Sequence, residues 1–320
     1  MKGAFKGAII VAICLLLLGG GLFAGMMAMM NWDFLRLSDE DYQTIEYELE
    51  GAFGNISMDT DTADLFFLPA EGETCRVVCY EKKDDPHKVE VVEDTLQIST
   101  EKEDRFRFHW GISFKSPKIT VYLPKKEYST IFIKGSTGDI ALPEDFDFES
   151  IDISLSTGDV RLGASASARI KIGTSTGKIT MENASAGSLD LSVTTGRVSV
   201  SSVTCKGEMS VGVSTGDTAL SDSTCRSLTS TGSTGNISLK NVVARETIAI
   251  TRSTGNVRFE KSDAAEITVK TDTGSIKGSL LSEKIFSAHS DTGKVVVPDT
   301  NSGGRCTLTS DTGTIRVTVE

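Results

Sequence analysis

The sequence predicts an all-β chain: a single-chain parallel β-solenoid (β-helix) of about ten rungs, preceded by one N-terminal transmembrane helix. Three observations predict it. A Thr-Gly phrase recurs ten times at spacings of 19 or 20 residues. Apolar and polar residues alternate on both sides of each phrase. One uncharged apolar stretch near the N-terminus is long enough to span a bilayer.

Composition agrees with a drawn-out core. The 320 residues are 39% hydrophobic and 24% charged, with 30 Gly and 6 Pro. The first 30 residues hold 22 of roughly 125 apolar residues, which leaves the body about 36% apolar, too poor for a large round core. Val, Ile, Leu and Phe nevertheless recur throughout, which excludes disorder. The net charge is −11, and Lys2 and Lys6 are the only charges in the first 30 residues, so the body carries −13. That balance argues against nucleic acid as a partner, because phosphate-backbone binding needs an excess of Lys and Arg.

The membrane segment comes first. Residues 8–30 carry no charge. As a helix rising ~1.5 Å per residue they cover about 35 Å, enough to cross a bilayer. Lys2 and Lys6 precede the run, and Asp33, Asp39, Glu40 and Asp41 follow it against Arg36 alone. The positive-inside rule then places residues 1–7 in the cytoplasm, 31–43 as a juxtamembrane linker and the body outside, as a single-pass cell-membrane protein. The run exceeds the core of a signal peptide and no Ala-x-Ala site follows, so it reads as a retained anchor. The Gly19-Gly20-Gly21 break keeps a cleaved signal as the alternative.

Residues 44–135 read as an irregular β-rich N-terminal cap with the first rungs. Strand patterns lie at 64–68, 76–80, 88–92, 95–99 and 118–123, separated by Gly, Pro and Asp clusters. A solenoid needs its ends protected against edge-to-edge pairing, and this segment is the expected cap. At the other end the final strand runs to Glu320, which predicts an open, sticky C-terminal edge.

Residues 136–320 are the regular repeats. Their glycines are Gly138, Gly158, Gly177, Gly196, Gly216, Gly235, Gly255, Gly274, Gly293 and Gly313, each preceded by Thr. A fixed period of this length means stacked structural units. Two residues after each Gly stands Ile or Val, except for Thr218. Four after stands a larger apolar residue, except for Gly278. Period-2 alternation marks a strand with one buried face. The strand before each Gly alternates out of phase with the one after, so the chain bends there and Gly supplies the bend. About five inward side chains per unit cannot offset the ordering of ~19 residues, so rungs fold only as a stack. A propeller blade is too long for this period, and the leucine-rich signature is absent.

Candidate chemistry is sparse. Gly173-Thr-Ser-Thr-Gly177 and Gly212-Val-Ser-Thr-Gly216 match a hydrolase elbow, but the repeat generates both and no helix follows. His87, His109 and His289 lack metal spacing and read as surface residues. Asp272, Asp291 and Asp311 share one phase and read as solvated turn residues. No catalytic, metal or cofactor residue is assigned. Arg105, Phe106, Arg107, Phe108 and Trp110 form the one basic aromatic stretch, a candidate for ligand or partner contact. Cys205 and Cys225 both stand nine residues after their Gly, so stacking brings them within reach of an inter-rung disulfide. Cys306 falls in an inward column.

Two segments carry a resemblance. Ile119-Thr-Val-Tyr-Leu-Pro124 followed by Ile131-Phe-Ile-Lys-Gly-Ser-Thr-Gly-Asp-Ile140 resembles the entry into the repeats of the bacterial putative adhesin family, β-strand repeat proteins of unknown function. Residues 62–69 and 75–81 look like its N-terminal part. The resemblance implies a rod outside the membrane, behind one anchoring helix in some members, and supplies no catalytic residues. The expected function is therefore a non-enzymatic, membrane-anchored extracellular adhesin or cell-envelope binding or sensing module. Its partner would be an envelope polymer or protein, with self-association through the C-terminal edge. A carbohydrate-active β-helix enzyme and a self-assembling spacer rod are the alternatives.

Overall fold

The computed structural model describes residues 2–29, 32, 41–100 and 116–320. The chain is one helix, Lys2–Met29, followed by a β-solenoid. The window Ala12–Met29 has a mean hydropathy of 2.1, and this is the one helix among the described residues long and apolar enough to cross a membrane.

The rungs stack in parallel register. Ile170, Leu189, Met209, Leu228, Ile248 and Ile267 face one another up the ladder. Like therefore sits on like, and each apolar phase of the repeat becomes a continuous buried column. The rung of Gly196 sends seven side chains inward rather than five: Val198, Val200, Val203, Cys205, Met209, Val211 and Val213, all buried. The extra two belong to a short third side, residues 203–205, that the sequence pattern hides in the turn. A rung thus has three sides and three corners.

Each corner has its own device. At the first, nine of the ten repeat glycines have φ between 130° and 158°. They also stack: a Cβ on Gly196 would lie 1.8 Å from the Gly177 carbonyl oxygen, and one on Gly216 would lie 1.6 Å from that of Gly196. Glycine is required here twice, for its φ and for the close approach of successive rungs. The second corner, six residues later, uses the left-handed conformation of Asn183, Ser202, Asp222, Asn241 and Lys261, with φ of 48–55°. Short polar side chains tolerate that region best. The third is a register shift, seen between Ala166 and Arg169 and again between Cys225 and Ser227.

Both ends depart from chain order. The first rung, Asn55–Thr62 with Asp64–Pro69, lies between Thr95–Thr100 with Lys118–Leu123 on one side and Glu127–Thr137 with Ile140–Leu142 on the other. Antiparallel strands cover the outside: His87–Val92 on Thr95–Thr100, and Cys75–Lys82 on Lys118–Leu123, itself paired with Tyr42–Leu49. At this end antiparallel strands thus lie on displaced parallel rungs.

The C-terminal end corrects an expectation. Gly304–Thr312 inserts between Glu266–Thr273 and Lys284–Thr292. Ile315–Val319 likewise inserts between Ile276–Leu280 and Val295–Val296. The last strand of the sequence is thus internal, and the open end is the rung of residues 284–296. The physical consequence is burial: between two rungs Cys306, Leu308, Ile315 and Val317 are all buried, whereas Val295 in the open rung is 37% exposed.

Candidate functional site

The basic aromatic stretch Arg105, Phe106, Arg107, Phe108 and Trp110 lies outside the described residues. Its flanks, Thr100 and Ser116, line a cleft of about 280 Å³ together with Tyr42, Lys82 and His87. His87 corrects the surface reading: it is buried at 5% exposure. Its Nδ1 lies 2.7 Å from Glu81 Oε2, and its backbone N–H donates to the same oxygen at 2.8 Å. Glu81 Oε1 is buried with no hydrogen-bond partner among the described residues. The pair ties the Cys75–Lys82 strand to the next one, a role no sequence spacing reveals.

The residue after each repeat Gly forms a ladder of its own. Asp64 accepts the backbone N–H of Asp139, Asp139 that of Asp159, and Asp159 that of Lys178. Further along, Asp217 accepts from Asn236, Asn236 from Asn256, and Asn256 from Ser275. At this corner the backbone turns away from ladder pairing, and a short Asp or Asn oxygen takes the freed N–H. The hydrogen bond from Asn236 N–H holds the Asp217 carboxyl below the usual carboxylate range, with Arg197 nearby adding to the effect.

Four departures from the repeat meet in the interior. Arg252 stands in an inward column and is only 1% exposed. Its guanidinium lies over Gly232, where a Cβ would sit 1.8 Å from Nη1. Nη1 donates to the Val213 carbonyl at 2.6 Å and Nη2 to Thr218 Oγ1 at 3.0 Å. Thr218 replaces the usual Ile or Val, Gly232 leaves the room, and Ser230 replaces an apolar neighbour. Burial pulls the Arg252 guanidinium below its ordinary value. Arg252 Nε and Ser230 Oγ are buried with no hydrogen-bond partner among the described residues.

Outward, the cations are unevenly placed. Several have an acid one rung away, among them Arg169 with Asp190, Arg197 with Asp217, and Lys240 with Glu260. Arg258, Lys277 and Arg316 differ. The register places Arg258 opposite Lys277 and Lys277 opposite Arg316, so three cations occupy one outward column in successive rungs. They line a groove of about 600 Å³. The groove exists because Gly278 takes a large apolar residue's place at φ 139°, and the register then shifts between Phe259 and Ser262. This site escaped sequence reasoning because Arg316 is two repeats from Lys277 in the chain and meets it only through the strand insertion.

The cysteines stack as the spacing predicts, with Ala186 facing Cys205 and Cys225 facing Ala244 in the same column. Both are free thiols, so the expected inter-rung disulfide is not formed. The Cys205 thiol instead turns to the Glu208 carbonyl at 3.4 Å. Burial pushes the Cys225 thiol up to about 12, as it does Cys75, Cys79 and Cys306.

With the repeat corners and the outward columns described, the comparison with known proteins is direct. The family model for Toastrack DUF4097 matches residues 53–231, more than half of the chain. The chain belongs to the Toastrack DUF4097 family. The match begins at the first rung and ends inside the regular stack, and the same repeat continues to residue 320. Among solved structures, the Toastrack chain is similar to a putative adhesin from Bacteroides fragilis NCTC 9343, at 15% identity over 88% of this chain and 97% of that one, with a TM-score of 0.41. A putative adhesin from Parabacteroides distasonis ATCC 8503 is 11% identical over 75% and 98%, TM-score 0.45. A putative lipid binding protein from the same organism is 20% identical over 75% and 98%, TM-score 0.42. No curated protein matches the chain.

Proposed function

We propose that this Toastrack protein is a non-enzymatic binding module tethered to the outer face of the cell membrane, an adhesin-like or envelope-sensing rod. The observation that carries it is the pairing of one apolar helix, basic before and acidic after, with a stack whose outward columns are ladders of Ser, Thr, Asp, Asn and paired charges. In this reading the helix is the anchor, the rod is the reach, and the outward columns make the contacts. Protease added to intact cells tests the topology. Degradation of the body without lysis is the expected result, and a body protected until lysis overturns the reading.

A second reading has its own observation. The open rung exposes Ile285 at 50%, Val295 at 37% and Val296 at 39%, beside unpaired strand edges. Self-association would therefore run through residues 284–296 rather than through Glu320. Mass measured against concentration tests it: Val295→Lys with Ile285→Lys should lower the mass of any oligomer, and a concentration-independent monomer overturns it.

A further inference from the structure

We infer that the groove over Arg258, Lys277 and Arg316 binds a compact phosphate group carrying two or more negative charges. The inference rests on the reading of the rod as a binding module and names a ligand class for it. Three like charges ~4.8 Å apart along one ladder repel one another. Among the described residues none of the three has an acid within ion-pair reach, so nothing in the column separates their charges. Two carboxylates do line the groove, but each is already engaged: Glu260 lies 3.6 Å from Lys240 Nζ, and Glu320 lies 3.5 Å from Lys261 Nζ. The three cations are therefore left without a carboxylate partner of their own.

The rod has one other run of three cations in a column, Lys206, Arg226 and Arg245, and it is not equivalent. Arg226 lies 3.9 Å from Glu246, and Arg245 donates to the Lys206 carbonyl at 2.9 Å. The groove also supplies donors. Ser275 Oγ accepts the Thr314 N–H at 3.4 Å and keeps its own proton to give.

Chemistry narrows the ligand. Arginine forks match the oxygens of phosphate, and the lysine between them acts as a point charge. Two rung spacings, ~10 Å, span all three cations, so they act together on a compact group. The body around the groove carries −13, which repels a long polyanion wherever it runs past the groove. A phosphate monoester or a pyrophosphate fits these limits. It would come from a lipid headgroup or from a soluble molecule.

The test uses the full chain in phosphatidylcholine vesicles with inorganic pyrophosphate as probe. Saturable binding is expected, and an Arg258→Gln, Lys277→Gln, Arg316→Gln variant should bind at least tenfold more weakly with no loss of thermal stability. A Lys206→Gln, Arg226→Gln, Arg245→Gln variant should bind as the wild type does. No saturable binding, or equal loss in both variants, overturns the assignment. Phosphatidic acid in the vesicles separates the sources: competition with pyrophosphate identifies a lipid headgroup, and unchanged binding identifies a soluble phosphate. Failure here leaves the cell-surface topology standing, and a body protected from protease would leave this binding intact.

Discussion

At the residue scale, single positions carry more weight than composition suggests. Gly196 combines φ 148° with a carbonyl 1.8 Å from where a Cβ would sit. Gly196→Ala is expected to destabilise by about 3 kcal/mol or more, because strain and clash coincide. Chemical denaturation measures it. Gly212→Ala is the control, since its Cβ would meet nothing closer than 3.9 Å. Arg252 is the converse case, a charge held in the interior by two hydrogen bonds and the space above Gly232. Its truncation, Arg252→Ala, leaves a void and an unpaired Val213 carbonyl, and should cost ~2–4 kcal/mol in the same assay. The repeat glycines were legible from their period. Arg252 was not, because its partners Val213 and Thr218 lie 39 and 34 residues away.

At the element scale, the corners decide how rungs join. The second corner asks for φ near 50°, and Lys261 meets it without the short polar side chain of Asn183, Asp222 or Asn241. Lys261→Asn should therefore stabilise by about 0.5–1 kcal/mol, read as a raised midpoint of unfolding. The first corner depends on the Asp and Asn ladder. The folded state holds the Asp217 carboxyl below its unfolded value, so its contribution is present above the ordinary carboxylate range. That contribution is lost as pH falls through the lowered folded value. The stability difference between wild type and Asp217→Asn should thus be larger at pH 7 than at pH 3, and thermal melts at both pH values check it. The sequence showed a polar residue after each Gly. It could not show that the side chain reaches one rung away, because that contact spans 19 or 20 residues.

At the scale of the whole molecule, the chain closes its ends by insertion. Lys284–Thr292 pairs with Gly304–Thr312 and no other strand, so it is held only once the last segment is in place. Truncation after Gly303 should therefore remove amide exchange protection from residues 284–296 while leaving residues 165–254 protected. Hydrogen exchange by mass spectrometry measures both. The buried thiols give a second global check. With Cys75, Cys79, Cys225 and Cys306 pushed up to about 12 and Cys205 also raised, the native rod should leave all five unlabelled by maleimide at pH 7. Unfolding should expose all five together.

The sequence by itself determined the β-solenoid and its ten Thr-Gly corners, because a 19- or 20-residue repeat repeats the same local solution at every rung, and the apolar helix, because residues 8–30 carry no charge. Tertiary structure alone decided which rungs are neighbours. Strand insertion at both ends pairs residues far apart in the chain, Ile56 with Ile131 and Ile267 with Cys306, which no local window contains. That choice brings Arg316 beside Lys277, buries His87 against Glu81, and turns an expected C-terminal edge into an interior strand. The low apolar content that first argued against a round core is the same fact seen at full scale: seven inward columns, each one residue wide, run the length of the rod.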